Sequence, residues 1–131
     1  MADTTQSRSV GRRKTASARV RLSPGTGTIT INGKTLTEYL PIKLSQEKAR
    51  APLSLLGKEK DYDISIKVAG GGKQGQADAI CHGIARALIA WNAEFKPVLK
   101  AGGFTTRDPR AKERKKPGLR RARRGHQWRK R

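Results

Sequence analysis

Apolar and polar residues alternate with a period of two in several stretches of this chain. Ala18, Val20 and Leu22 alternate with Arg19 and Arg21, the pattern of a half-buried strand with a cationic outer face. Ser23-Pro24-Gly25-Thr26-Gly27 is dense in turn residues, after which Ile29 and Ile31 alternate with Thr28 and Thr30 as a returning strand. Asn32-Gly33 supplies residues that tolerate positive φ in a tight turn. Ser45 is read as the N-cap of a helix running to about Leu56 and closed by Gly57. Pro52 inside it predicts a kink or a split. Tyr62, Ile64, Ile66 and Val68 alternate with Asp63, Ser65 and Lys67, the clearest strand of the chain.

The period then changes. After Gly70-Gly71-Gly72-Lys73-Gln74-Gly75, the residues Ala77, Ile80, Cys81, Ile84, Leu88 and Trp91 mark one face of a helix from about Gln76 to Trp91. A shorter helix over Glu94–Lys100, with Pro97 early in it, stops at Ala101-Gly102-Gly103. The pattern predicts an α+β fold with three or four strands and two or three helices. It places a flexible N-terminus over residues 1–9, one domain over 10–103 and an extended tail over 104–131.

Charge changes this picture most. The 131 residues carry 30 Lys plus Arg against 10 Asp plus Glu, a formal net charge of +20, and only 34% are hydrophobic. Such a chain buries one small core, and its self-repulsion calls for a polyanion. Residues 105–131 hold 13 of the cations against Asp108 and Glu113 alone. With Pro109, Pro117, Gly118 and Gly125 and few apolar residues, the tail cannot offset its ordering entropy when free. Fully extended, it reaches roughly 90 Å. No run of 18 apolar residues exists to span a membrane, and the N-terminus has no apolar secretory region. A lone cysteine, Cys81, excludes an internal disulfide and fits a reducing compartment. Two histidines, His82 and His126, argue against a dedicated metal cluster.

The glycine loop formally matches G-x-G-x-x-G between a strand and a helix, but no second strand follows to place an acid on a ribose. The phosphate-loop reading fails because Gln76-Ala77 stand where Lys and Ser/Thr belong. Two readings remain: glycines that merely permit a sharp turn, and a loop whose Gly71, Gly72, Lys73 and Gln74 approach RNA phosphates at a helix N-terminus. The small residues Ala79, Gly83, Ala87 and Ala90 read first as close packing, with an RNA backbone beside Arg86 as the alternative. Cys81, on the apolar face, reads as an inert core thiol. No catalytic pair presents itself, which argues against an enzyme, and no cofactor site is expected.

Arg8, Arg12, Arg13, Lys14, Arg19 and Arg21 place six cations without an acid between residues 8 and 21, a candidate phosphate-binding surface. In the tail, Arg107, Arg110, Arg114, Lys115, Lys116, Arg120, Arg121, Arg123 and Arg124 are candidate nucleic-acid contacts, since arginine forks grip phosphates and stack on bases. Trp128 adds a ring for stacking. Composition alone leaves RNA and DNA both open, and a general nucleic-acid chaperone is a competing reading.

Several segments together resemble the small-subunit ribosomal protein nine family. They are Gly11 to Val20 (GRRKTASARV), Gly25-Thr26-Gly27 with Ile31-Asn32-Gly33, Val68 to Ala77 (VAGGGKQGQA), Gly83 to Leu88 (GIARAL), Thr106-Arg107-Asp108, and Glu113 to Gly118 (ERKKPG). The resemblance implies an α+β fold similar to the second domain of ribosomal protein five, with a long basic C-terminal tail. It implies a non-enzymatic place on the head domain of the small-subunit ribosomal RNA, among the neighbouring head proteins. It also implies a tail that threads inward to the anticodon stem-loop of transfer RNA in the peptidyl site. Lys130 and Arg131 match the family's ending. Trp128 keeps the aromatic before it, and Arg129 replaces the usual serine, so Trp128 to Arg131 are the expected transfer RNA contacts. The expected setting is a cytoplasmic ribosome, with an organellar one also compatible.

Overall fold

Ten short elements carry the chain through the computed structural model, which describes residues 6–107, 109–110, 114, 116–118 and 120–124. The strands are β1 (Ser7–Arg13), β2 (Ala16–Pro24), β3 (Ile29–Ile31), β4 (Lys34–Thr35) and β5 (Tyr62–Ala69). The helices are α1 (Leu36–Tyr39), α2 (Lys43–Leu56), α3 (Lys73–Trp91) and α4 (Lys96–Ala101), with a 3-10 turn at Ala93–Phe95. The strands form one sheet in the order β1-β2-β5-β3-β4. All neighbours are antiparallel except β3 and β5, which run parallel, the crossover between them carrying α1 and α2 as parallel pairing requires.

Alternation decides what faces the core. Ala16, Ala18, Val20 and Leu22 of β2 and Tyr62, Ile64, Ile66 and Val68 of β5 are buried. They pack with Ile80, Ile84 and Leu88 of α3 and Leu53 of α2. Trp91 meets Tyr62 edge-on, ring centroids 5.7 Å apart. The helices cover one face of the sheet and leave the other to solvent, the usual arrangement of an antiparallel α+β domain.

Five strands and four helices exceed the predicted numbers. β1 begins at Ser7, so residues 7–9 of the segment expected to be flexible pair with β2 instead. Their inward side chains are small, and Ser7 Oγ donates to the carbonyl of Ala87 on α3 at 2.8 Å. Ser45 is not an N-cap. The helix starts three residues earlier, after Ile42, with no side-chain cap, and Ser45 is buried within it. Gln46 secures this entry, its Nε2 donating to the carbonyl of Leu40 at 2.6 Å.

Pro52 lies inside α2 and neither ends nor splits it. The lost hydrogen bond to the carbonyl of Lys48 is offset by burial of the ring in the core. Gly57 does close the helix, at φ 67°, and Lys58 N–H reaches back to the carbonyl of Leu53 at 3.0 Å, a Schellman stop. Helix α3 begins at Lys73 rather than near Gln76, so half of the expected glycine loop is its first turn.

Candidate nucleic-acid interface

The open face of the sheet collects cations because the strand period puts them there. Arg8 and Arg12 of β1, Arg19 and Arg21 of β2 and Lys67 of β5 occupy outward positions, and all are exposed. The register sets Arg8 opposite Arg21 and Arg19 opposite Lys67. Like charges directly opposite each other destabilise a sheet by about 0.2–1 kcal/mol per pair, so this face is relieved by an anionic partner. Lys67 was not among the sequence candidates. Its outward phase in the 62–68 alternation is the signal that identifies it.

Asp63 is the one acidic residue in β1, β2 and β5, and it is already committed. Its Oδ1 accepts the backbone N–H groups of Thr28, Thr26 and Gly27 at 3.1, 3.0 and 3.2 Å. These bonds, Thr28's foremost, hold its carboxyl below the usual carboxylate range, against a smaller opposing effect of burial. The carboxylate thus shapes the β2–β3 turn while leaving the cationic face unneutralised at its centre.

Arg13 does not belong to that face. Its register partner is the inward Ala16, and its Nε lies 3.4 Å from Asp78 Oδ2 on α3. Lys48 of α2 reaches the other carboxylate oxygen at 2.5 Å. The period of two puts Arg13 on the same inward face as Ala16, Ala18 and Val20, and Asp78 supplies the charge that makes the position tenable.

The β1–β2 turn and the glycine loop meet at one corner of the sheet. Lys14 sits at the turn with φ 54°. Gly70 has φ 78°, and a Cβ there would stand 2.5 Å from the carbonyl oxygen of Thr15. Gly70 is therefore required by close backbone approach as well as by the turn. Gly71, Gly72, Lys73 and Gln74 are exposed beside this contact. Gly72 caps α3 without a side chain, and no acid occupies the first turn, which leaves the N–H groups of a 19-residue helix facing outward.

A relay of side chains fixes the corner. Asn32, at φ 50°, accepts the Val68 N–H and donates to the Val68 carbonyl, both at 3.0 Å, extending the β3–β5 ladder with a side-chain amide. The same amide donates to Tyr39 Oη at 3.3 Å. Tyr39 donates to Gln76 Oε1 at 2.7 Å, and Gln76 Nε2 donates to the carbonyl of Gly70 at 3.0 Å. Lys73 Nζ lies 3.4 Å from the Tyr39 ring centre, a cation–π contact that orients it. Asn32, Tyr39 and Gln76 were not singled out as site residues by sequence, because polar relays leave no periodic trace.

The small-residue stripe is packing. Ala79, Gly83 and Ala87 are buried under β1 and β2, Ala90 is exposed, and Arg86 donates to the Val10 carbonyl at 2.6 Å. Cys81 is buried, and desolvation, with Asp78 adding to it, pushes its thiol up to about 12. No group of three or more His, Cys, Asp or Glu that could hold a metal occurs among the described residues. Among the same residues, no helix is long and apolar enough to cross a membrane.

Beyond α4 the described residues form turns and bends, with no helix or strand. Arg107, Arg110, Arg114, Lys116, Arg120, Arg121, Arg123 and Arg124 are exposed. Lys115 and the expected transfer RNA contacts Trp128, Arg129, Lys130 and Arg131 lie outside the described residues.

Comparison with known proteins gives the family. Residues 11–131 match the family model described as ribosomal protein S9/S16, a family of structural, non-enzymatic proteins. Over 122 residues, 93% of this chain, it is 55% identical to the small ribosomal subunit protein uS9 of Corynebacterium efficiens, covering 67% of that protein. Over the same length it is 52% identical to the small ribosomal subunit protein uS9 of Mycobacterium bovis, covering 81% of it. A sheet with an open cationic face and this match over nearly its whole length make the chain a member of the ribosomal protein S9/S16 family.

Proposed function

We propose that the chain is a structural constituent of the small ribosomal subunit that binds ribosomal RNA through the open face of its sheet. The observation that carries this reading is the pairing of Arg8 with Arg21 and Arg19 with Lys67 across strands, a self-repelling surface that phosphates relieve. Lys14, Lys73 and the N-terminus of α3 extend the grip around the corner. These are phosphate contacts, which position a protein without reading bases. The fold, in this reading, is similar to the second domain of ribosomal protein five. It docks on the head domain of the RNA beside neighbouring head proteins, in a cytoplasmic ribosome.

The basic segment from residue 104 onward orders on binding along the RNA, its cost offset by phosphate contacts and released counterions. Its end, Trp128 to Arg131, contacts the anticodon stem-loop of transfer RNA in the peptidyl site. That contact is sequence-blind, because transfer RNAs of many sequences must be accepted there.

Photo-crosslinking from probes at Lys67, Lys73 and Arg131 in cells, followed by sequencing of the attached RNA, tests the whole arrangement. Head-domain ribosomal RNA from the first two probes and transfer RNA anticodon stems from the third are expected. A broad spread of messenger RNA or DNA from all three would instead establish the general chaperone.

A further inference from the structure

At the β1 edge of the sheet, a cavity of about 260 Å³ opens between the end of β1, α2, α3 and the turn after α4. Arg12, Arg13, Lys48, Arg107 and Arg110 line it, and Phe104 and Cys81 give it apolar wall. Asp78 is the sole carboxylate among its described lining residues, and that carboxylate is already held by Arg13 and Lys48. Among its described lining residues, positive charge is therefore in surplus. His82 lines it as well, and its Nδ1 is buried with no hydrogen-bond partner among the described residues.

We infer that this cavity receives one nucleotide unit of RNA, its phosphate between Arg12, Lys48 and Arg107 and its sugar or base against Phe104. The inference rests on the nucleic-acid reading above and adds a second site to it, which shares Arg12 with the outer face. Guanidinium forks match phosphate oxygens, and an aromatic ring offers a face that any base or ribose can meet. Continuity favours RNA over an acidic peptide. Arg107 and Arg110 belong to both the cavity and the start of the basic segment, so a strand running beside that segment passes the opening.

His82 reports on occupancy. Burial lowers its pKa, the charges of Arg86 on its own helix and Arg107 beyond α4 lower it further, and a hydrogen bond with the Thr105 backbone opposes them. Lys48 from α2, Arg12 and Arg13 from β1, and Asp78 and Arg110 are the other charged groups among the described residues lining the cavity. A phosphate arriving there favours the imidazolium and raises the midpoint.

The chain has two histidines, His82 and His126, so ring-labelled full-length protein gives two resolvable NMR signals. Uridine 5′-monophosphate and a single-stranded RNA decamer are each expected to move the His82 signal and raise its titration midpoint. Arg107→Gln, in a turn outside the core, is expected to weaken uridine monophosphate binding about tenfold, and Lys48→Gln to act in the same direction. Inorganic phosphate binding as tightly as uridine monophosphate would overturn the nucleotide assignment in favour of a free anion. A decamer that binds and moves only His126 overturns the cavity site and leaves the outer-face reading standing. No RNA binding even at about 50 mM salt, where phosphate contacts are strongest, overturns both.

Discussion

Gly11 of β1 and Gly83 of α3 pack backbone against backbone. A Cβ on Gly11 would lie 1.9 Å from the Ala79 carbonyl oxygen and 2.3 Å from the Gly83 nitrogen. A Cβ on Gly83 would lie 2.7 Å from Val20 Cγ2 and 3.1 Å from the Gly11 nitrogen. This contact holds an edge strand tightly on the longest helix, and it separates two otherwise similar substitutions. Gly83→Ala gains about 1 kcal/mol of helix propensity, while overpacking costs about 1–3 kcal/mol. A net loss of about 1 kcal/mol is expected. Gly11→Ala gains at most about 1 kcal/mol of strand propensity but meets three backbone atoms within 2.8 Å, and should lose more than about 2 kcal/mol as β1 is forced off α3. Urea unfolding of the two variants ranks them, and equal stabilities would contradict the contact.

The same contact explains what the sequence hid. β2, β5 and α3 were legible because their inward positions are apolar at periods of two and near 3.6. In β1 the inward positions are Ser7, Ser9, Gly11 and Arg13, which carry no alternation. They are small because α3 lies too close for large side chains, and the last is an arginine because Asp78 waits beneath it. The outer cations of β1 were found from charge alone, so Arg13 was grouped with them. The true start of α2 was missed because Gln46, a side chain inside the helix, does the work expected of a cap at Ser45.

Asp63 makes the β2–β3 turn sensitive to acid. Its folded carboxyl titrates below its unfolded value, near 3.9, so it contributes stability that is present above that value and lost as pH falls through the folded pKa. Asp63→Asn should lower the thermal midpoint at pH 6, and the difference from the parent should shrink steadily below about pH 4. A difference independent of pH from 6 to 2 would mean that the three N–H bonds do not need the charge.

At Asn32 the backbone and the side chain make separable contributions. Asn32→Gly keeps the positive φ without strain but loses the two bonds to Val68, at a cost of about 1–3 kcal/mol. Asn32→Ala loses those bonds and also places a Cβ at φ 50°, adding about 1 kcal/mol. The glycine variant should therefore be the more stable of the two in denaturant titrations. Both should loosen Tyr39 and with it the Gly70 corner, visible as faster amide exchange at Gly71 and Gly72.

Removing residues 129–131 takes three cations from the chain end and none from the described fold. Assembly of the small subunit should be unchanged. Affinity of the purified subunits for transfer RNA in the peptidyl site should fall roughly tenfold, the worth of one or two charged contacts. Undiminished affinity would remove the end of the tail from the proposed site.

The cationic face sets stability against binding, and Arg21 is where the two can be told apart. In the free protein Arg21 stands opposite Arg8 and two residues along β2 from Arg19. Removing its charge relieves repulsion of about 0.2–1 kcal/mol, so Arg21→Gln should be as stable as the parent or slightly more so at low salt, the gain fading as salt screens the pair. Bound to RNA, the same arginine neutralises a phosphate. Its loss should weaken binding and reduce the slope of log affinity against log salt by about 1. Opposite signs from one substitution are what a surface arranged for a polyanion predicts, whereas an arginine that merely solubilises the sheet would leave the salt slope unchanged.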